Sequence, residues 1–264
     1  MRILIIGGSG HLGQELIRQA QAAGHHVTAT YFHHPGTSPT RLQLDLRDQA
    51  RTAALITSQA PDLVINAAYR QSDWHTTATG PANLALATRH TRLIHVSSDT
   101  VFSGTASPYT EAAPPDPITP YGAAKAAAET AVAAIHPEAV IARTSLILGR
   151  GSPHEARIHA HAAGTAHGTL FTDDVRCPVH VTDLARALLE LTAPGVHHLA
   201  GPDPISRYDL ALLVARRDGL DPGRLIPGLR DVPGPKDLRL DSTATQRRLT
   251  TRLRGAGEFL SEQD

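Results

Sequence analysis

Residues 5–13 read IIGGSGHLG, an apolar run that ends on Gly7, Gly8, Gly10 and Gly13 and leads directly into a helix-like segment. A strand that stops on glycines just before a helix has few uses. One glycine permits a tight turn, a second lets the backbone approach a pyrophosphate, and a third brings helix and strand close together. The helix that follows aims its first N–H groups at the same spot, where an anion is favoured. A bare strand-to-helix turn is the competing reading, and the motif alone does not exclude it. What decides is context, namely a strand before the motif and a βαβ series around it.

The chain supplies that series. After the strand at 2–7, Leu12, Leu16, Ile17 and Ala20 form one helical stripe that stops at Gly24. Further strands are expected at HVTATY (26–31), RLQLDL (41–46), DLVINAA (62–68), RLIHVSS (92–98) and AVIARTSLIL (139–148). Helices fall between them at about 47–60, 80–90 and 121–135. Apolar strands alternating with helices predict an α/β fold: a Rossmann-type doubly wound parallel sheet over residues 1–150. The loop 103–119 carries Pro108, Pro114, Pro115 and Pro117, and its length makes it a candidate binding loop. Beyond 150 the pattern is mixed. Helices near 154–163, 182–192 and 205–218, a strand at GVHHLAG (195–201) and two short C-terminal helical pieces predict a small α/β substrate-binding cap over 151–264, with some crossing of the chain between the two parts. Such a cap lies over the carboxyl edge of the sheet, where ligands of open α/β sheets bind.

Composition narrows the function classes. The formal net charge is zero, which removes the broad electrostatic case for nucleic acid or an anionic membrane as partner. A single cysteine, Cys177, cannot form an internal disulfide, and no apolar stretch is long enough to span a bilayer, so a cytoplasmic protein is expected. Of the 16 histidines, His159 and His161 stand two apart on a helix and face away from each other, and no HExxH pattern exists, so no metal site is expected.

The dinucleotide is read from the end of the second strand, where an NAD site carries Asp or Glu for the ribose diol. The segment ATYFHHPG (29–36) has no acid, and Tyr31, His33 and His34 are placed to meet a 2′-phosphate, which points to NADPH with NADH as the alternative. Asp45 is placed to meet the adenine or to cap the helix after it. The remaining candidate cofactor contacts are Ser9, His11 and Leu12 in the glycine turn, Leu46 after the third strand, and Ala67, Ala68 and Tyr69 after the fourth.

Two later stretches carry the chemistry. Tyr121 and Lys125 are i and i+4 on one helix and share a face. An ammonium near a phenol lowers its pKa, which suits tyrosine to acid–base work near neutrality. Ser98 ends the fifth strand and can donate a hydrogen bond that polarises a carbonyl for hydride attack.

With these residues assembled, the chain resembles the extended branch of the short-chain dehydrogenase/reductase superfamily. Within it, the chain is similar to the dTDP-4-dehydrorhamnose reductase family and its relative, the regulatory subunit of methionine adenosyltransferase. The residues that carry the likeness are GGSGHLG (7–13), NAA (66–68), HVSSDTVFSG (95–104), PYGAAKAAAE (120–129), RTSLILG (143–149), TDDVRCPVHVTDLA (172–185), GVHHLAGPDPISRYDLA (195–211) and PKDLRLD (235–241). The resemblance implies NADPH as hydride donor and a 4-keto sugar nucleotide as substrate. It makes Ser98 and Tyr121 the hydrogen-bond partners of the carbonyl and Lys125 the holder of the nicotinamide ribose. It places Thr100, Val101, Phe102 and Arg176 towards the substrate and allows a homodimer; a binding-only partner subunit and a reductase of a non-sugar carbonyl are the alternatives.

Two departures stand out. The segment YRQSDWHTTATGPANLALAT (69–88) is shorter than in the family, with Thr77 where an asparagine is usual, and Gly234 replaces an arginine before PKDLRLD. Arg176, Lys236 and Arg239 remain as cations for a substrate phosphate. Dehydration of the sugar is disfavoured, because Asp99 is followed by Thr100 and not by the second acid that such chemistry needs.

Overall fold

The computed structural model describes residues 1–34 and 41–261. Pro35 and Gly36, the last two residues of the acid-free turn after the second strand, lie outside them.

Seven parallel strands form the main sheet in the order β11-β6-β5-β4-β1-β2-β3. They are β1 (Arg2–Ile6), β2 (His26–Tyr31), β3 (Arg41–Gln43), β4 (Leu63–Asn66), β5 (Arg92–Ser98), β6 (Val140–Thr144) and β11 (Gly195–Leu199). Alternation along β1 explains why both faces are covered. Ile3 and Ile5 point to one side, where they pack with Leu12, Leu16 and Ile17 of α1 (His11–Ala22) and Leu184 and Leu188 of α6 (Val181–Glu190). Leu4 and Ile6 point to the other side, in a second core with Ile56 of α2 (Gln49–Gln59), Leu84 of α3 (Gly80–Ala87) and Val132 of α4 (Pro120–Ile135). The strand order turns back between β1 and β4, and that reversal opens the crevice in which such sheets hold ligands.

Residues beyond 150 do two jobs. Helices α5 (Pro153–Ala162), α7 (Arg207–Asp218) and α9 (Ala256–Phe259) share their own core, built on Ile158, Leu210, Val214 and Phe259. Short strand pairs tie this cap down: β7 (Ile147–Leu148) with β10 (Val179–His180), β9 (Val175–Arg176) with β12 (Ile205–Ser206), and β8 (Leu170–Phe171) with β13 (Pro227–Gly228). A short α8 (Thr243–Gln246) follows. Yet α6 and β11 belong to the main layers. β11 pairs in parallel with β6 from Gly195↔Val140 to Leu199↔Thr144, so the sheet has one strand more than the six expected from the first 150 residues. The sequence reads GVHHL as part of the cap; its place is at the edge of the sheet.

The proline-rich loop 103–119 is anchored by packing. Tyr109 stacks on Phe102 at 4.0 Å between ring centroids, and its N–H donates to the Arg239 carbonyl at 2.8 Å. Asp116 accepts from the Ser103 N–H at 2.8 Å. Helix α2 is capped by Asp48, whose carboxylate accepts from the Arg51 N–H at 2.9 Å, so the capping role offered for Asp45 falls to its neighbour three residues on.

Candidate functional site

The glycine turn is built against β2 and β4. Gly7 has φ +85°, and a Cβ on it would stand 2.9 Å from Ala68 Cα. The Gly8 N–H donates to the Thr30 carbonyl at 2.8 Å, which ties the turn to β2. A Cβ on Gly13 would meet the Gly7 carbonyl oxygen at 2.2 Å, so this glycine serves contact between α1 and the turn. No side chain caps the start of α1 at Gly10, leaving the positive end of the helix open towards the crevice. A cradle this bare, facing an uncapped helix start, fits the pyrophosphate of a dinucleotide.

A cavity of about 870 Å³ runs from this turn to the end of β5. Ser9, His11 and Leu12 line it at one end, and Ser98, Tyr121 and Lys125 at the other. Ser98 ends its strand half-buried at the cavity, where its hydroxyl donates to the Asp99 carboxylate at 3.3 Å. It also accepts from the Thr100 hydroxyl at 2.9 Å. Thr119 caps α4 by accepting from the Gly122 N–H at 3.0 Å, and that start fixes Tyr121 and Lys125 one turn apart on the same face. Lys125 is 3 % exposed and donates from Nζ to the Val96 carbonyl at 2.7 Å. Burial lowers its pKa to about 8, partly countered by the Glu129 carboxylate.

Tyr121 behaves differently from the expectation. Burial pushes its pKa up, with Tyr69 and Asp99 adding to the rise and the neighbouring Ser98 hydroxyl opposing it. Desolvation of the phenolate outweighs any help from the ammonium. The phenol is therefore held protonated at neutral pH, as a proton donor must be.

Thr100 and Arg176 line the same cavity, but Val101 and Phe102, expected towards the substrate, do not. Both side chains are fully buried in a core with Tyr109, Leu238 and Leu240, and the Arg143 guanidinium sits 4.9 Å over the Phe102 ring. The anchored loop and the 238–240 segment take up the surface these two would have shown. Arg176 is 4 % exposed. Its Nε donates to Asp174 at 2.6 Å and its Nη1 lies 3.5 Å from Asp99. Asp174 is also shared by Arg207 and Arg230. Arg230 fills the space beside Gly234, where a Cβ would stand 2.9 Å from its Nη1. Lys236 pairs with Asp173 at 2.7 Å and Arg239 with Asp237 at 2.7 Å, both outside this cavity. Sequence reasoning missed Arg150, His154 and Arg207, which line the cavity from the cap; burial and the neighbouring Arg207 push His154 down to about 4, so it is neutral.

A second cavity of about 270 Å³ adjoins the glycine turn on the β2 side. Tyr31, His33, His34, Asp45, Leu46, Ala67, Ala68 and Tyr69 all line it, as the strand ends predict. The Asp45 carboxylate is gripped by Arg47, through Nε at 2.9 Å and Nη2 at 2.7 Å. Tyr69 also lines the large cavity, its ring centroid 5.8 Å from that of Tyr121. Trp74, the one tryptophan of the chain, is half exposed and lines neither cavity.

The family described as RmlD substrate binding domain matches residues 1–255. The dTDP-4-dehydrorhamnose reductase of Mycolicibacterium smegmatis is 33 % identical over 99 % of this chain and 84 % of its own. A hypothetical dTDP-4-dehydrorhamnose reductase from Sulfolobus tokodaii superposes with a TM-score of 0.84 at 30 % identity, covering 96 % of this chain and 97 % of the other. A dTDP-4-dehydrorhamnose reductase from Clostridium acetobutylicum gives 0.87 at 26 % identity, covering 100 % and 98 %.

Proposed function

The chain belongs to the RmlD substrate binding domain family, and from that premise we propose that it is an NADPH-dependent reductase of a keto group on a nucleotide sugar of the dTDP-4-keto-6-deoxy type. The observation that carries the reading is the convergence of a half-buried, protonated Tyr121 with Ser98 and Lys125 in one cavity with the glycine turn.

A dinucleotide held by its pyrophosphate at the glycine turn would supply, from its reduced nicotinamide, the hydride for the carbonyl carbon. The Ser98 hydroxyl donates to the carbonyl oxygen and draws electron density from the carbon. As the C–O double bond becomes single, Tyr121 gives its proton to that oxygen, so no free alkoxide has to persist in a dry cavity. Lys125, fixed to the Val96 carbonyl, holds the nicotinamide ribose and supplies positive charge beside the phenolate that is left. Thr100 holds the Ser98 oxygen in place through its N–H and hydroxyl, and the Ser98 proton, which rests on Asp99 in the free protein, turns to the carbonyl oxygen of the substrate. Arg176 and Arg207 with Arg150 line the cap side of the cavity and suit a diphosphate.

The test is oxidation of NADPH in the presence of dTDP-4-keto-6-deoxy sugars, followed by loss of the reduced nicotinamide's absorbance. Tyr121→Phe is expected to lower turnover by about 10²–10⁴-fold while NADPH still binds. Undiminished turnover in that variant, or NADPH binding without oxidation on any of these sugars, overturns the reading. The second of those results favours a binding-only partner subunit.

A further inference from the structure

We propose that Arg70, in concert with His33, is the residue that selects NADPH over NADH by gripping the 2′-phosphate; this rests on the dinucleotide reading above. The end of β2 carries no acid for a ribose diol. The carboxylate that lines the same cavity, Asp45, has both oxygens engaged by Arg47 and is not available for that role either.

Arg70 reaches the same place from the end of β4. Its Nη1 lies 3.3 Å from His33 Nε2, and it lines the 270 Å³ cavity together with Gly7, Gly10, His33 and His34. Among the described residues no carboxylate pairs with its guanidinium, in contrast to Arg47, which is held by Asp45 and Asp73. A planar cation beside two imidazoles, next to the glycine turn and free of a counter-ion, is suited to a phosphate.

The backbone that carries Arg70 is fixed. Its N–H donates to Thr77 Oγ1 at 3.1 Å, and the Thr77 hydroxyl donates back to the Arg70 carbonyl at 2.8 Å. The same carbonyl accepts from the Asp73 N–H at 3.0 Å. Thr77 is 1 % exposed, inside a wide helical turn (His75–Thr79) that opens α3. The shortened segment thus folds into a clamp that presents Arg70, and Thr77, at the position where the family has asparagine, acts as its positioning residue.

Purified wild type, Arg70→Ala and Arg70→Lys are titrated with NADPH and with NADH. Arg70→Ala is expected to weaken NADPH about ten- to a hundredfold, the value of a charge-assisted hydrogen bond, and to leave NADH within about twofold. Arg70→Lys is expected to recover part of the loss, because charge survives and the planar fork does not. Equal weakening of both dinucleotides identifies stacking on the adenine and overturns the proposal, as does an unchanged affinity for NADPH. Wild type that binds both equally overturns it while the dinucleotide site stands; wild type that binds neither overturns the underlying reading as well.

Discussion

The carboxylate of Glu129 is the hub of a buried polar group on α4, one turn beyond Lys125. It accepts from Arg143 at 2.8, 3.1 and 3.2 Å and from the Ser97 hydroxyl at 2.5 Å. The two charged side chains are 5 % and 3 % exposed. Glu129→Leu would strand the Arg143 guanidinium with the Ala113 carbonyl at 3.3 Å and the Phe102 ring as its remaining partners. Leaving one member of a buried pair costs about 3–5 kcal/mol. At about 2–4 °C per kcal/mol for a protein of this size, the midpoint of thermal unfolding should fall by roughly 6–20 °C. The double variant Glu129→Leu with Arg143→Met removes both charges. It should regain most of that loss, because two apolar side chains of similar volume replace the pair at little net cost. Far-ultraviolet circular dichroism on heating, applied to wild type, both single variants and the double, completes the cycle. If the double variant loses the sum of the two single losses, an uncompensated buried charge is not what destabilises the singles, and the argument fails.

Gly13→Ala places a Cβ 2.2 Å from the Gly7 carbonyl oxygen and 2.8 Å from Gly8 Cα, both backbone atoms that cannot swing aside. A loss of about 1–3 kcal/mol in denaturant unfolding and a clear loss of NADPH affinity are expected together, and retention of both would contradict the close helix–turn contact. Lys125, lowered to about 8, carries its proton below that pH, so kcat/KM should decline as pH rises through about 8. Since Glu129 is the group that raises the lysine's pKa, Glu129→Gln should move the decline to lower pH; a profile flat across this range refutes the assignment. The same shift means that the unfolded chain holds the proton between about 8 and 10.5 where the folded one does not, so stability rises with pH across that window.

What the sequence made legible is what short-range pattern encodes. The runs of Ile, Leu and Val gave the strands, the glycine spacing gave the turn at β1, and the i, i+4 spacing put Tyr121 beside Lys125. The rest depended on distant partners. Val101 and Phe102 follow the strand-end hydroxyl and invite a reading as substrate contacts, but the packing of Tyr109, Leu238 and Leu240 decides their burial. The rise in the Tyr121 pKa comes from desolvation inside a finished cavity, and no local pattern announces it. Arg70 meets His33 across 37 positions of sequence, beyond the reach of any helical or strand period. GVHHL has strand character, but nothing in its own residues says that its partner is β6, where Thr144 Oγ1 donates to the Leu199 carbonyl at 2.7 Å.

That last pairing has a consequence for how the protein can be divided. The polypeptide departs from the sheet after β6, forms one wall of the large cavity and comes home as its outermost strand. A fragment ending near residue 150 would bare the flank of β6, whose orphaned amide and carbonyl groups would recruit a stranger's strand. The cap is thus an inserted detour with both ends sewn into the layer that bears Ser98, and neither half is a smaller version of the whole.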